Sequence, residues 1–211
     1  MPGNLLGRRA LTTATVLGRE FYQRPTVRVA RDLLGKLLVR RTREGTVAVR
    51  LHEVEAYLGP TDPAAHTFGG RRTPRVATMW GEAGHAYVFL VYGLHHCLNL
   101  VTVGGGAGQA VLLRGGAVVL GRDLARRRRG PAIADRALAD GPGKLGQALA
   151  ISLDDDGIDV CDRPSGLWLC DDGLRVGPRR IRRGPRVGVH YAGEAAEWPL
   201  RFLATALPWG C

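Results

Sequence analysis

Apolar residues recur at Val27, Ala30, Leu33 and Leu34 behind Pro25, and Gly35 follows, a spacing that predicts a short amphipathic helix with a glycine stop. The period then falls to two. Leu37-Leu38-Val39, a turn at Glu44-Gly45 and the β-branched alternation from Thr46 to Leu51 predict a hairpin whose second strand runs through Val54 towards Tyr57. From Gly59 to Gly84 the chain is rich in Gly, Pro, Thr and Arg and has no period, and an irregular segment of that length inside a compact domain is read as a site loop. Strands are predicted over Ala86–Tyr92, Leu98–Val103 and Ala110–Leu113, the last after the glycine-rich turn 104–108. Helices are predicted near 118–128 and 142–150, with the run Arg126-Arg127-Arg128-Arg129 between them, and short strands at Leu167–Leu169 and Arg186–Val189. The sum is a mixed α/β (α+β) fold: one domain with a curved, mostly antiparallel sheet flanked by helices. Residues 1–18 lack a clear period and are expected to form a loosely ordered leader, with the folded domain over 19–211 beginning near Phe21.

Composition narrows the partners. A chain of 211 residues with 45% hydrophobic content can bury one real core. Its formal net charge of +11 favours a polyanion, whether nucleic acid, an anionic membrane or an acidic substrate. Lys36 and Lys144 are the sole lysines, so nearly all of that charge is guanidinium, which suits bidentate phosphate contacts but also follows from a GC-rich coding bias. The four-arginine run is either a solvated face or a phosphate contact. No apolar run approaches the roughly 20 residues of a membrane span, and the N-terminal stretch lacks the apolar block of an export signal, so a cytoplasmic protein is expected. Cys97, Cys161, Cys170 and Cys211 form no CxxC pair and have no clustered histidines, which supports reduced thiols rather than zinc or a disulfide framework.

Candidate chemistry gathers at His52-Glu53-Val54-Glu55-Ala56-Tyr57. Two carboxylates at i and i+2 on a strand leave by the same face, which fits a general base with an ionised neighbour and equally fits an ordinary surface strand. Tyr57, His66, Tyr87, Phe89 and Tyr92 could line a stacking slot or fill a small core.

The run Glu53-Val54-Glu55-Ala56-Tyr57-Leu58-Gly59-Pro60, with Asp62, Ala64-Ala65-His66 and Gly69-Gly70-Arg71, resembles the alkyladenine (3-methyladenine) DNA glycosylase family of the vertebrate type, not the helix-hairpin-helix type. The likeness continues in order through Thr73-Pro74-Arg75, Tyr87-Val88, Tyr92-Gly93, Cys97-Leu98-Asn99, Val111–Arg114, Gly141–Leu145, Arg186–Val189 and Pro199–Phe202, spanning roughly residues 18 to 209. It implies that family's fold and base excision: a damaged purine is flipped from duplex DNA and its N-glycosidic bond is hydrolysed, without metal or organic cofactor. By this resemblance Glu55 activates the water, Arg114 holds that water and keeps Glu55 ionised, and the Val187 carbonyl is a third partner, leaving Glu53 structural. Tyr57, His66 and Phe89 are the stacking positions, and Asn99 would clash with the exocyclic amine of normal guanine. Tyr92 is the wedge that fills the vacated stack, with Leu94 and His95 near the same groove and Arg71, Arg75 and Lys144 as phosphate contacts.

Two departures stand out. Phe89 stands where tyrosine is common, and the glycine turn 104–108 looks lengthened. The resemblance positions no amine to form a Schiff base, so a monomeric, monofunctional enzyme leaving an abasic site is expected. The rival classes are a catalytically silent damaged-DNA-binding protein, an RNA-binding module and a hydrolase of free nucleosides.

Overall fold

In the computed structural model, which describes residues 11–205, the strands join in a single nine-stranded sheet. Every strand pairing among the described residues is antiparallel. The strands are β1 Thr15–Val16, β2 Leu37–Thr42, β3 Gly45–Tyr57, β4 Ala86–Val91, β5 His95–Thr102, β6 Gln109–Leu120, β7 Leu167–Asp171, β8 Ile181–Gly184 and β9 Arg201–Ala204. Their main order is β1-β7-β2-β3-β6-β5-β4. On β3, β2 pairs with residues 45–50 and β9 with residues 53–55, and β8 pairs with β9. The helices are short: α1 Arg19–Tyr22, α2 Thr26–Leu33, α3 Arg122–Arg129 and α4 Pro142–Ala148.

The two faces of the sheet have different work. Val54, Ala56, Val88, Leu98, Leu100, Val111 and Leu113 point to the main core, where Val29, Ala30 and Leu33 of α2 and Leu145 and Ala148 of α4 cover them. A fully buried side chain of this size contributes about 1.5–3 kcal/mol by leaving water, so this face holds the sheet to its helices. The intervening residues Glu55, Tyr87, Phe89, Cys97, Asn99 and Leu112 project from the other face.

Several sequence expectations need correction. The sheet starts before Phe21, since Thr15 and Val16 pair with Asp171 and Cys170; residues 1–10 of the expected leader lie outside the described residues. Residues 118–120, expected to open a helix, complete β6. That strand passes through Gly115-Gly116 because Gly116 lies so close to Val49 and the Arg50 carbonyl that a Cβ has no room there. α3 starts only at Arg122, after Gly121 takes φ 73° against the Thr46 carbonyl, and the four-arginine run is the second half of this helix rather than a separator. Arg186–Val189 is a bend, not a strand; the strand lies just before it at β8. Among the described residues no helix is long and apolar enough to cross a membrane.

Candidate active site

Tyr87, Asn99, Leu112 and Glu55 are cross-strand neighbours on β4, β5, β6 and β3, so a single row across the sheet joins four residues distant in sequence. Register shifts at Leu51/Glu53 and Glu53/Val54 kink β3 beside Gly115. Glu53 and Glu55 then meet the same guanidinium, with Arg114 Nε 3.1 Å from Glu53 Oε1 and 3.4 Å from Glu55 Oε1. Arg201 Nε also donates to Glu53, at 2.6 Å. Glu53 is thus held between two arginines.

Glu55 has no exposed surface. Its carboxylate accepts from the Val187 N–H at 2.8 Å and from the Tyr57 hydroxyl at 3.0 Å. Burial raises its proton affinity above the ordinary carboxylate range, and Arg114, the Val187 N–H and the Tyr57 hydroxyl oppose that rise. Burial, then the charge of Glu55, drives the Tyr57 phenol well upward, so it stays a donor. The Val187 contact is through its N–H to the carboxylate.

Above this carboxylate lies a pocket of about 340 Å³ lined by Tyr57, His66, Tyr87, Phe89, Asn99 and Arg114, with Val187 and Tyr191 also in its wall. The His66 and Phe89 rings meet edge to face at 4.5 Å, and Tyr87 stacks on Phe89 at 5.5 Å. His66 Nδ1 shares a 2.8 Å hydrogen bond with the Tyr87 hydroxyl. Burial, with Arg75 and Arg71 adding repulsion, pushes the His66 imidazolium down to about 4, so the ring is neutral at pH 7. Asn99 is pinned: its Nδ2 donates to the Tyr87 carbonyl at 3.0 Å and the Cys97 carbonyl at 3.4 Å. Cys97 also lines the pocket, its thiol pushed up to about 11 by burial.

Tyr92 stands at the rim, on the turn Tyr92-Gly93-Leu94 between β4 and β5. Tyr92 and Gly93 have φ of 52° and 69°, the left-handed pair of a tight hairpin, in which a bulky residue is strained. Tyr92 is 90% exposed and Leu94 75%. His95 lies against Gly143 at the start of α4, Lys144 donates to Asp140 at 2.8 Å, Arg75 sits 5.5 Å from the Phe89 ring centre, and Arg71 is exposed. The structure therefore gathers Glu55, Arg114, Val187, Tyr57, His66, Phe89, Asn99 and Tyr92 around one pocket. Glu55 lies behind that lining, bonded to Tyr57 and Val187, and Leu94, His95, Arg71, Arg75 and Lys144 are not among the residues that line it.

Sequence reasoning gave no role to Asp62 or Arg186 and did not single out Tyr191. Arg186 and Asp62 have no exposed side-chain surface and form a two-armed ion pair at 2.5 and 2.8 Å. Asp62 also accepts from the Leu58 and Ala64 N–H groups, and Arg186 donates to the Ala56 carbonyl and lies 4.8 Å from the Tyr57 ring centre. This pair ties the strand carrying Glu55 and Tyr57, the loop carrying His66 and the bend carrying Val187. Tyr191 adds a bond from its hydroxyl to the Ala64 carbonyl at 3.1 Å. The partners are 124 residues apart, so no local spacing announces them.

The geometry defines a class of site: a half-open aromatic slot for a planar ring, with one guanidinium in its wall, one buried carboxylate behind it and a strained, exposed tyrosine at its rim. The sequence profile of the methylpurine-DNA glycosylase family matches residues 20–208. The chain is 46% identical over 188 residues to a protein of Streptomyces avermitilis assigned as a 3-methyladenine DNA glycosylase, covering 89% of this chain and 87% of that one. It is 48% identical over 187 residues to a Methanocella arvoryzae protein with the same assignment, covering 89% and 91%. To the human DNA-3-methyladenine glycosylase it is 42% identical over 204 residues, covering 92% of this chain and 67% of the human one. The chain belongs to the methylpurine-DNA glycosylase family.

Proposed function

We propose that this protein is a base excision repair glycosylase that binds damaged duplex DNA, turns an alkylated or deaminated purine into the pocket and hydrolyses its N-glycosidic bond, leaving an abasic site. The observation that carries the reading is Glu55, fully buried beneath an aromatic slot, held by two hydrogen-bond donors and ion-paired with Arg114. Cleavage develops positive charge on the sugar, and an anionic carboxylate beside a water can take the water's proton and stabilise that charge. A proton affinity raised by burial but restrained by Arg114 suits a base that must be ionised near neutrality yet still accept a proton. Arg114 and the Val187 carbonyl complete the hold on the water.

The slot accounts for substrate class. Tyr57, His66 and Phe89 offer ring faces to an electron-poor purine, and a neutral His66 does not repel a base carrying positive charge. Stacking tolerates different bases, which supports a range covering 3-methyladenine, 7-methylguanine, hypoxanthine and ethenoadenine. Asn99, tethered by two carbonyls, has no freedom to swing aside from the exocyclic amine of normal guanine. Tyr92 fills the vacated position in the stack, Leu94 and His95 flank it, and Arg71, Arg75 and Lys144 contact backbone phosphates. The chain's two lysines are both ion-paired, Lys36 with Asp171 and Lys144 with Asp140, which favours hydrolysis over Schiff-base chemistry.

The test is single-turnover excision on duplexes carrying hypoxanthine or ethenoadenine and on methylated genomic DNA. The parent chain is expected to release the base, and Glu55→Gln to lose at least ~10²-fold in rate, the usual worth of a positioned general base. Full excision by a correctly folded Glu55→Gln protein would refute the mechanism. Tight binding to damage without release by the parent would favour a damage-binding protein.

A further inference from the structure

Between Asp172 and Glu194 the chain has six arginines and no acidic residue. Three of the six are engaged. Arg175 pairs with Asp171, Arg186 with Asp62, and Arg183 lies over the Phe202 ring and donates to the Pro199 carbonyl. Arg179, Arg180 and Arg182 are exposed and have no acidic partner among the described residues. They sit on β8 and the turn Pro178–Arg180 that leads into it, and among the described residues β8 pairs only with β9, leaving its outer edge of backbone groups without a strand partner there.

Register gives this edge a direction. Arg182 is opposite Leu203, and Leu203 is opposite Glu53. Arg182 therefore rises from the same sheet face as Glu53 and Glu55, two strands away, roughly 10 Å at ~4.8 Å per strand. The hairpin carrying Tyr92 lies on the other side of β3, beyond β6 and β5. The more conspicuous α3 run is differently placed: Arg126 pairs with Asp123 and Asp135, Arg128 with Glu44, and Arg129 bonds Gln147 and the Leu138 carbonyl. Arginines whose charge is already answered release few counterions on binding a phosphate.

We propose that the β8 edge, through Arg179, Arg180 and Arg182, is a second backbone contact for duplex DNA, gripping phosphates on the side of the flipped nucleotide opposite the Tyr92 wedge. The proposal rests on the DNA reading above and adds to it a surface that the stacking slot and the wedge do not include. Each neutralised phosphate steepens the dependence of log affinity on log salt by about 0.9. Replacing all three arginines by glutamine is expected to flatten that slope by about 2.7, so that between 50 and 200 mM salt the variant loses ~40-fold less affinity than the parent.

The experiment measures binding of undamaged duplex DNA across that salt range for the parent, for R179Q/R180Q/R182Q, for the lysine set R179K/R180K/R182K, and for R28Q/R43Q/R127Q. The last removes the same charge from exposed arginines elsewhere. The glutamine set at β8 should flatten the slope, the lysine set should keep it, and the remote set should change it by less than ~1. The lysine set separates lost charge from a damaged fold. Equal slopes for the two glutamine sets, or a parental slope in the β8 glutamine set, would overturn the proposal. A parent chain with no salt-dependent affinity for duplex DNA would overturn the DNA reading itself and the proposal with it, a result distinct from a binding parent with an indifferent β8.

Discussion

The Asp62–Arg186 pair allows a sharp test of what holds the pocket together. Asp62→Asn leaves the Arg186 guanidinium, which has no exposed side-chain surface, without a counter-charge. Removing one partner of such a pair costs about 3–5 kcal/mol. With an unfolding entropy of about 2.1 cal/mol/K per residue, a domain of this size loses about 0.4 kcal/mol per degree, so Tm should fall by ~7–12 °C. Arg186→Met should cost less, because Asp62 keeps its bonds from Leu58 at 2.9 Å and Ala64 at 3.0 Å, whereas Asp62→Asn leaves a guanidinium that cannot give up its charge. Calorimetric unfolding of both variants at pH 7 reads the difference. A Tm fall under ~2 °C for Asp62→Asn, under ~1 kcal/mol, would refute the reasoning, because an uncompensated buried guanidinium cannot be that cheap.

Two further predictions follow from the pocket. An NMR titration of His66 should find its midpoint near 4 rather than near 6.5; because the folded value is depressed, the stability tied to neutral His66 is present above about 6.5 and is lost as pH falls towards about 4. A midpoint near 6.5 would show that the ring is not held in its buried site. Tyr92→Asn should raise stability by ~0.5–1 kcal/mol in urea unfolding, since asparagine tolerates the left-handed backbone and Tyr92 buries almost nothing, while damaged duplex should dissociate faster. An unchanged dissociation rate would remove Tyr92 from the role of wedge.

The parts of this structure that sequence reveals are those written in local periodicity. The helix after Pro25, the alternation in β4 and β5, and the i, i+2 carboxylates of β3 all appear where the pattern places them. Beyond that, the family resemblance supplied the pocket residues, and the structure gathers eight of them at one place. What periodicity concealed has physical causes. Gly115-Gly116 reads as a breaker, yet glycine is what lets β6 pass close to β3 there. β8 and β9 are four residues each, too short to show alternation, and are fixed by pairing across the sheet. Arg126 to Arg129 form the densest block of charge in the chain, yet Arg126, Arg128 and Arg129 are turned to partners that only the folded chain brings near.

The division of β4, β5 and β6 into a core face and a pocket face also limits how such a protein can change. In a strand of period two, one inserted residue exchanges the faces beyond it, sending Val88, Leu98 or Leu100 into the slot and Tyr87, Phe89 or Asn99 into the core. Substitution can therefore retune the pocket one side chain at a time, but length variation within these strands damages fold and slot together. Insertions have to be absorbed in the turns, and the glycine stretch 104–108, where Gly104, Gly105, Gly106 and Gly108 all take positive φ, is a place where added residues leave both faces in step.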